Sequence, residues 1–118
     1  MIYSNIFIDS PYLKRGCWKD DLPRALTDID SQIEANYNYK SRELAIQKCL
    51  ETAKTGGYKV FAIQDGGQCF ASMSFTSYRV YGGSTQCLDD GKGGPMSNEV
   101  YEIRNSKSQI ILHLNVTC

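Results

Sequence analysis

Five cysteines, Cys17, Cys49, Cys69, Cys87 and Cys118, constrain this 118-residue chain more than any other feature. None falls in a CxxC or comparable metal-ligand spacing, and a single histidine, His113, is present to complete a zinc site. Widely spaced cysteines in so short a chain read as cross-links made in an oxidising compartment. The expectation is a disulfide-stapled, secreted, extracellular protein that needs no metal and no cofactor. The opening residues, Met1 to Ile8, lack the basic start and small-residue cleavage site of a signal peptide, so either any leader has been removed and Met1 is an expression start, or the protein is cytosolic, and the cysteines favour the first. Asn115-Val116-Thr117 matches the N-glycosylation acceptor pattern, which adds weak support because the triplet arises often by chance.

The length suits one domain, residues 1–118, able to bury roughly two-thirds of the surface that its unfolded form exposes. Hydrophobic residues make up 42% and charged residues 22%, which is too apolar for a disordered chain. Thirteen basic residues balance thirteen acidic ones, with no basic run longer than Lys14-Arg15. That argues against a nucleic-acid partner. No stretch approaches the ~20 apolar residues of a membrane span, which argues against membrane insertion.

Periodicity places two elements firmly. From Arg42 to Thr55, behind Ser41 as an N-cap, Ala45, Ile46, Cys49, Leu50 and Ala53 recur at helical spacing. Gln47, Lys48 and Glu51 take the opposite face, and Gly56-Gly57 ends the helix. Tyr58 to Ile63 then reads as a strand, Asp65-Gly66-Gly67 as a turn, and Gln68 to Ala71 as the returning strand. Cys49 on the packed side of the helix and Cys69 on the hairpin are natural neighbours. A bridge between them closes a loop of about 20 residues, worth around 3 kcal/mol in the chain-entropy model.

The remainder is less regular. Ser74 to Gly83 is rich in aromatic residues, and Asp89-Asp90-Gly91-Lys92-Gly93-Gly94-Pro95 is a glycine-rich loop. Glu99 to Ile103 reads as a strand with Val100 on one face and Tyr101 and Ile103 on the other. Ile110, Leu112, Leu114 and Val116 alternate with polar residues as in a half-buried strand, for which Tyr3 to Ile8 is a candidate partner.

Gly16-Cys17-Trp18-Lys19-Asp20 with Arg24-Ala25-Leu26, a cysteine-bearing helix, then Gly57 to Ile63 running on through Gln64-Asp65-Gly66-Gly67-Gln68-Cys69-Phe70, resembles a WSC-type module. It is also similar to the cysteine-rich WSC-like repeats of marine invertebrate extracellular proteins, where a segment like Asp90 to Pro95 followed by Glu99-Val100-Tyr101 closes the unit. The likeness covers residues 16–103 and leaves terminal strand extensions outside. It implies an α+β fold in which one central helix is cradled by a small antiparallel sheet, related in architecture to PAN/apple domains. It also implies a carbohydrate-binding role, as in a small invertebrate lectin. The typical module carries more cysteines than the four found here within the matching region. With Cys49 and Cys69 paired, Cys17–Cys87 ties the start of the module to its end, one of three connectivities open to four cysteines.

Catalysis finds little footing. His113 stands on the polar face of its strand with no serine or cysteine motif nearby, and reads as structural. Carboxylate pairs drawn from Asp65, Asp89, Asp90 or Glu99 lack any spacing that fixes their separation. The chain is expected not to be an enzyme. Sugar recognition asks for planar polar side chains and an aromatic face, and eight tyrosines accompany two glycine-bearing turns. The first turn offers Gln64, Asp65 and Gln68; the second offers Asp89, Asp90, Lys92 and Asn98, and is the favoured ligand loop. Tyr78 and Tyr81 are expected as an exposed aromatic wall. Trp18, beside Cys17, reads as core. EF-hand spacing of acidic residues is absent.

The expected function is non-enzymatic glycan recognition by a lectin, with glycans or glycoproteins as partners and galactose-type sugars suggested by the invertebrate likeness. The alternative is an adhesive or matrix module that binds other proteins through its terminal strands. Cys118, left without an internal partner, points to an intermolecular disulfide and a homodimer.

Overall fold

The computed structural model describes residues 10–34 and 38–104. Strand β1 is Tyr12–Lys19, β2 Thr27–Asp28, β3 Val60–Gln64, β4 Gln68–Ser72 and β5 Ser97–Ile103; the helix α1 is Ala45–Thr55. The five strands form one antiparallel sheet in the order β1-β5-β3-β4-β2. The fold is thus α+β, one helix packed on a small antiparallel sheet and stapled by disulfides. Cys49 is joined to Cys69, and Cys17 to Cys87.

Paired residues of neighbouring strands point to the same side of a sheet, so register divides the core in two. Phe61 opposite Tyr101, and Ile63 between Glu99 and Cys69, face α1. With Cys49, Leu50 and Ala53 of the helix they make the first cluster, in which Phe61 stacks on Tyr101 at 5.0 Å. Full burial of a side chain such as Phe61 contributes about 2–3 kcal/mol. Val60, Ala62, Phe70 and Val100 point the other way, where Ala25, Leu26 and Tyr78 cover them. Every residue of β3 is buried because both its faces are covered, which is why its sequence reads as an apolar run without alternation.

The helix begins later than its pattern suggests. Ser41 belongs to a 3-10 turn, Tyr39–Ser41, and Leu44, with φ of 53°, precedes the first helical residue. The cause is Arg42. Its backbone is extended, and its buried guanidinium donates to Asp30 Oδ1 at 2.6 Å, to Glu34 at 3.2 Å and to the Gly67 carbonyl at 2.9 Å. A helical Arg42 would carry that side chain away from the hairpin it anchors. The C-terminus ends as the glycines require: Tyr58 N–H donates to Ala53 O and Gly57 N–H to Lys54 O, with Gly57 at positive φ.

Candidate functional site

The two glycine-bearing turns, well apart in sequence, meet at one end of the sheet. Asp65 N–H donates to the Gly94 carbonyl at 3.2 Å and Gly66 N–H to the Lys92 carbonyl at 2.9 Å. The approach requires Gly93, where a Cβ would collide with the Ile63 carbonyl oxygen. Asp90 Oδ1 accepts from Lys92 N–H at 3.0 Å and shapes the tip of the second turn. Asp89 and Asp90 are exposed, and Lys92 is half-buried. Asp65 accepts from Tyr39 Oη at 3.0 Å and pairs with Lys40 at 3.4 Å, while Gln68 reaches Asp28 at 3.4 Å.

Three of the expected site residues lie in the interior. Asn98 is part of β5, not of the loop, and is 0% exposed; Gln64 beside it is also buried. A strand residue on the covered face can be polar only within a network, and the network here is centred on Asp20. Gln64 Nε2 donates to Asp20 Oδ2 at 2.8 Å and to Asn98 Oδ1 at 3.0 Å. Asp20 also accepts from the Asp21 and Ala25 amides and from Arg24. Burial pushes the Asp20 carboxyl up, but the hydrogen bonds from Ala25, Gln64, Arg24 and Asp21 together hold it below the usual carboxylate value. Tyr78 is the third. It is 2% exposed, tucked by the 3-10 turn Ser77–Arg79 into the second core cluster, and packs edge-on against Trp18 at 5.1 Å. The expected aromatic wall is therefore not exposed at Tyr78. Tyr81 is half-buried and donates to the Pro23 carbonyl.

Glu99, on the helix side of β5, is 4% exposed, with Lys14 Nζ at 3.9 Å as its ion pair. Burial pushes its carboxyl up; Lys14 pulls it partly back and Asp90 adds to the rise. Among the described residues no group of three His, Cys, Asp or Glu is placed to hold a metal ion. No helix among them is long and apolar enough to cross a membrane.

A cleft of about 640 Å³ opens between α1 and the start of β1. Tyr12, Ile46 and Leu50 supply its apolar wall, and Gln47, Glu51 and Lys54 its polar rim. Lys92 lines it too, which joins the second glycine turn to the cleft. The volume falls in the range of small-molecule sites, and an apolar wall with a few polar groups suits a sugar ring. Sequence reasoning assigned Gln47 and Glu51 to the solvent face of the helix and saw no strand at Tyr12, so the cleft between them was not foreseen. Cys118, Asn115, His113 and the segments 3–8 and 110–117 lie outside the described residues, and with them the dimer expected of the terminal strands.

A family model described as WSC domain matches residues 14–98. No curated protein is significantly similar to the chain. The match takes in β1 from Lys14 onward, both disulfides, α1, the hairpin and the glycine-rich loop.

Proposed function

This chain belongs to the WSC domain family, a family of non-catalytic carbohydrate-binding modules, and on that premise we propose that it binds a glycan in the cleft between α1 and β1. A disulfide-bonded module of this kind is consistent with an extracellular location. The observation that carries the placement is the cleft itself. It sets an aromatic side chain, Tyr12, among amide, carboxylate and ammonium groups, and its edge is the glycine turn that holds Asp89 and Asp90. Sugar hydroxyls are met by Gln47 and Glu51, and the apolar side of a ring by Tyr12 and Ile46. Asp90 fixes the Lys92 backbone and so the position of that side chain at the cleft edge.

The test is a glycan array followed by NMR titration of the labelled protein with the best-bound oligosaccharide. Amide shifts concentrated at residues 44–54, 12 and 90–92 are the expected outcome, with loss of binding in Gln47→Ala. Shifts centred on Trp18, Tyr81 and Met96 instead would move the site to the opposite face of the sheet.

A further inference from the structure

The charges of the cleft narrow the class of ligand, an inference that rests on the placement proposed above. Six of the twelve Lys and Arg side chains among the described residues are matched by a carboxylate, and of the other six only Lys54 and Lys92 line the cleft. Lys14 pairs with Glu99, Arg15 with Glu102, Arg24 with Asp20, Lys40 with Asp65, Arg42 with Asp30, and Lys48 with Glu34. Lys54 and Lys92 have no carboxylate within ion-pair distance among the described residues, and both line the cleft. They stand towards opposite ends of it. Lys92 follows Gly91, whose carbonyl accepts from Tyr101 Oη at 2.6 Å and whose backbone lies close to Ile46 in the first turn of α1. Lys54 is in the last turn of the same helix. Eight residues of helix separate Ile46 from Lys54, roughly 12 Å along the axis.

The geometry points to an anionic polysaccharide as the ligand, with acidic groups on Lys92 and Lys54 and a neutral stretch between them against Tyr12 and Gln47. Glu51, on the rim between the two lysines and less than one helical turn from Lys54, disfavours negative charge between them and leaves the lysines themselves as the places for it. A chain in which every sugar is charged would bring an anion against Glu51. A chain charged at intervals would not. Carboxylate and sulfate share the chemistry that an ammonium group recognises.

The probes are an oligouronate, a sulfated oligosaccharide of similar length and a neutral oligoglucan, titrated into the whole chain at low and high salt. Tighter binding of either acidic probe than of the neutral one is the expected result, and the ratio of the two acidic affinities identifies the group preferred. Lys54→Gln and Lys92→Gln should each weaken acidic binding by roughly fivefold at low salt, with the difference fading as salt screens it. Lys59→Gln, an exposed lysine whose residue does not line the cleft, should change nothing. Equal affinity for neutral and acidic probes, or no effect of either lysine variant, overturns the inference while leaving glycan binding in the cleft intact. Failure of all three probes to bind overturns both.

Discussion

Asp20 and Glu99 are buried to nearly the same degree, 5% and 4% exposed, on opposite sides of one sheet, yet their carboxyls are displaced in opposite directions. The difference lies in donors. Asp20 receives two backbone amides, a guanidinium and an amide side chain, and these more than offset its desolvation. Glu99 has a lysine at 3.9 Å and Asp90 in its field, and desolvation prevails. The two faces differ in the same way. The helix side is joined by apolar packing and carries both bridges, since Cys17 opposes Glu99, which opposes Ile63, which opposes Cys69. The other side is also packed by an apolar cluster, but among the described residues no α-helix covers it, and one of the short segments that do, Asp20 to Leu26, is fastened through Asp20. Burial alone therefore does not say what a carboxylate contributes; the number and kind of its donors do.

The severest way to break this contrast is Asp20→Ala. It leaves the Ala25 amide, Gln64 and Arg24 without their acceptor, and a loss of about 4 kcal/mol is expected by denaturant titration. Retention of wild-type stability would show that water replaces the carboxylate at no cost. Next comes the covalent tie on the helix side. Cys49→Ala with Cys69→Ala should cost about 3 kcal/mol in calorimetry, and reductant should lower the Tm of the wild type by more than that of this variant, which keeps only Cys17–Cys87 to be reduced.

Smaller is Glu99→Gln, which removes a buried charge without changing shape. It should stabilise the fold by about 1 kcal/mol at neutral pH. The pH dependence sharpens the contrast. Glu99, raised above its ordinary 4.5, favours folding most at acid pH, and that contribution is lost as pH rises through its elevated value. Asp20, held below its ordinary 3.8, contributes above that value and loses its contribution as pH falls towards its depressed one. Thermal melts across pH should show the wild type weakening between mildly acid and neutral pH, and Glu99→Gln flattening that slope. Least of all is Asp90→Ala, with an expected change in stability within about 0.5 kcal/mol. Its glycan affinity should nonetheless fall, measured by the same titration that locates the site.

The helix core, the hairpin and β5 are legible in the sequence because apolar periodicity fixes their faces. β1 is not. Its residues Lys14 and Arg15 are charged, and a register shift between Lys14 and Gly16 breaks the alternation that marks a strand. An edge strand carrying charge looks like a loop from its sequence. Asn98 and Gln64 looked like surface groups for a related reason. Gln64 donates to Asp20, 44 residues away, and to Asn98, 34 residues away, and no local pattern announces such partners. Tyr78 was misplaced because a 3-10 turn, too short to show periodicity, rotates it inward. Of the cleft, Lys92 was foreseen from its glycine turn. The residues facing it come from two distant stretches, around Tyr12 and along α1, that only the fold assembles.

The strand order has a consequence for how the chain is made. β5 occupies a central place between β1 and β3, yet among the described strands it is the last to leave the ribosome. Until it arrives, β1 has no full strand to pair with, only residues 82–84 bonded to its end, and the hairpin of β3 and β4 shows β5's vacant track to water. Such a topology relies on contacts between distant residues, which slows folding and prolongs the life of an open sheet edge. Cys87 emerges just ahead of β5. Its bond to Cys17 can tether β1 close to the gap before the inserting strand is complete, so that disulfide formation and the order of synthesis act in the same direction.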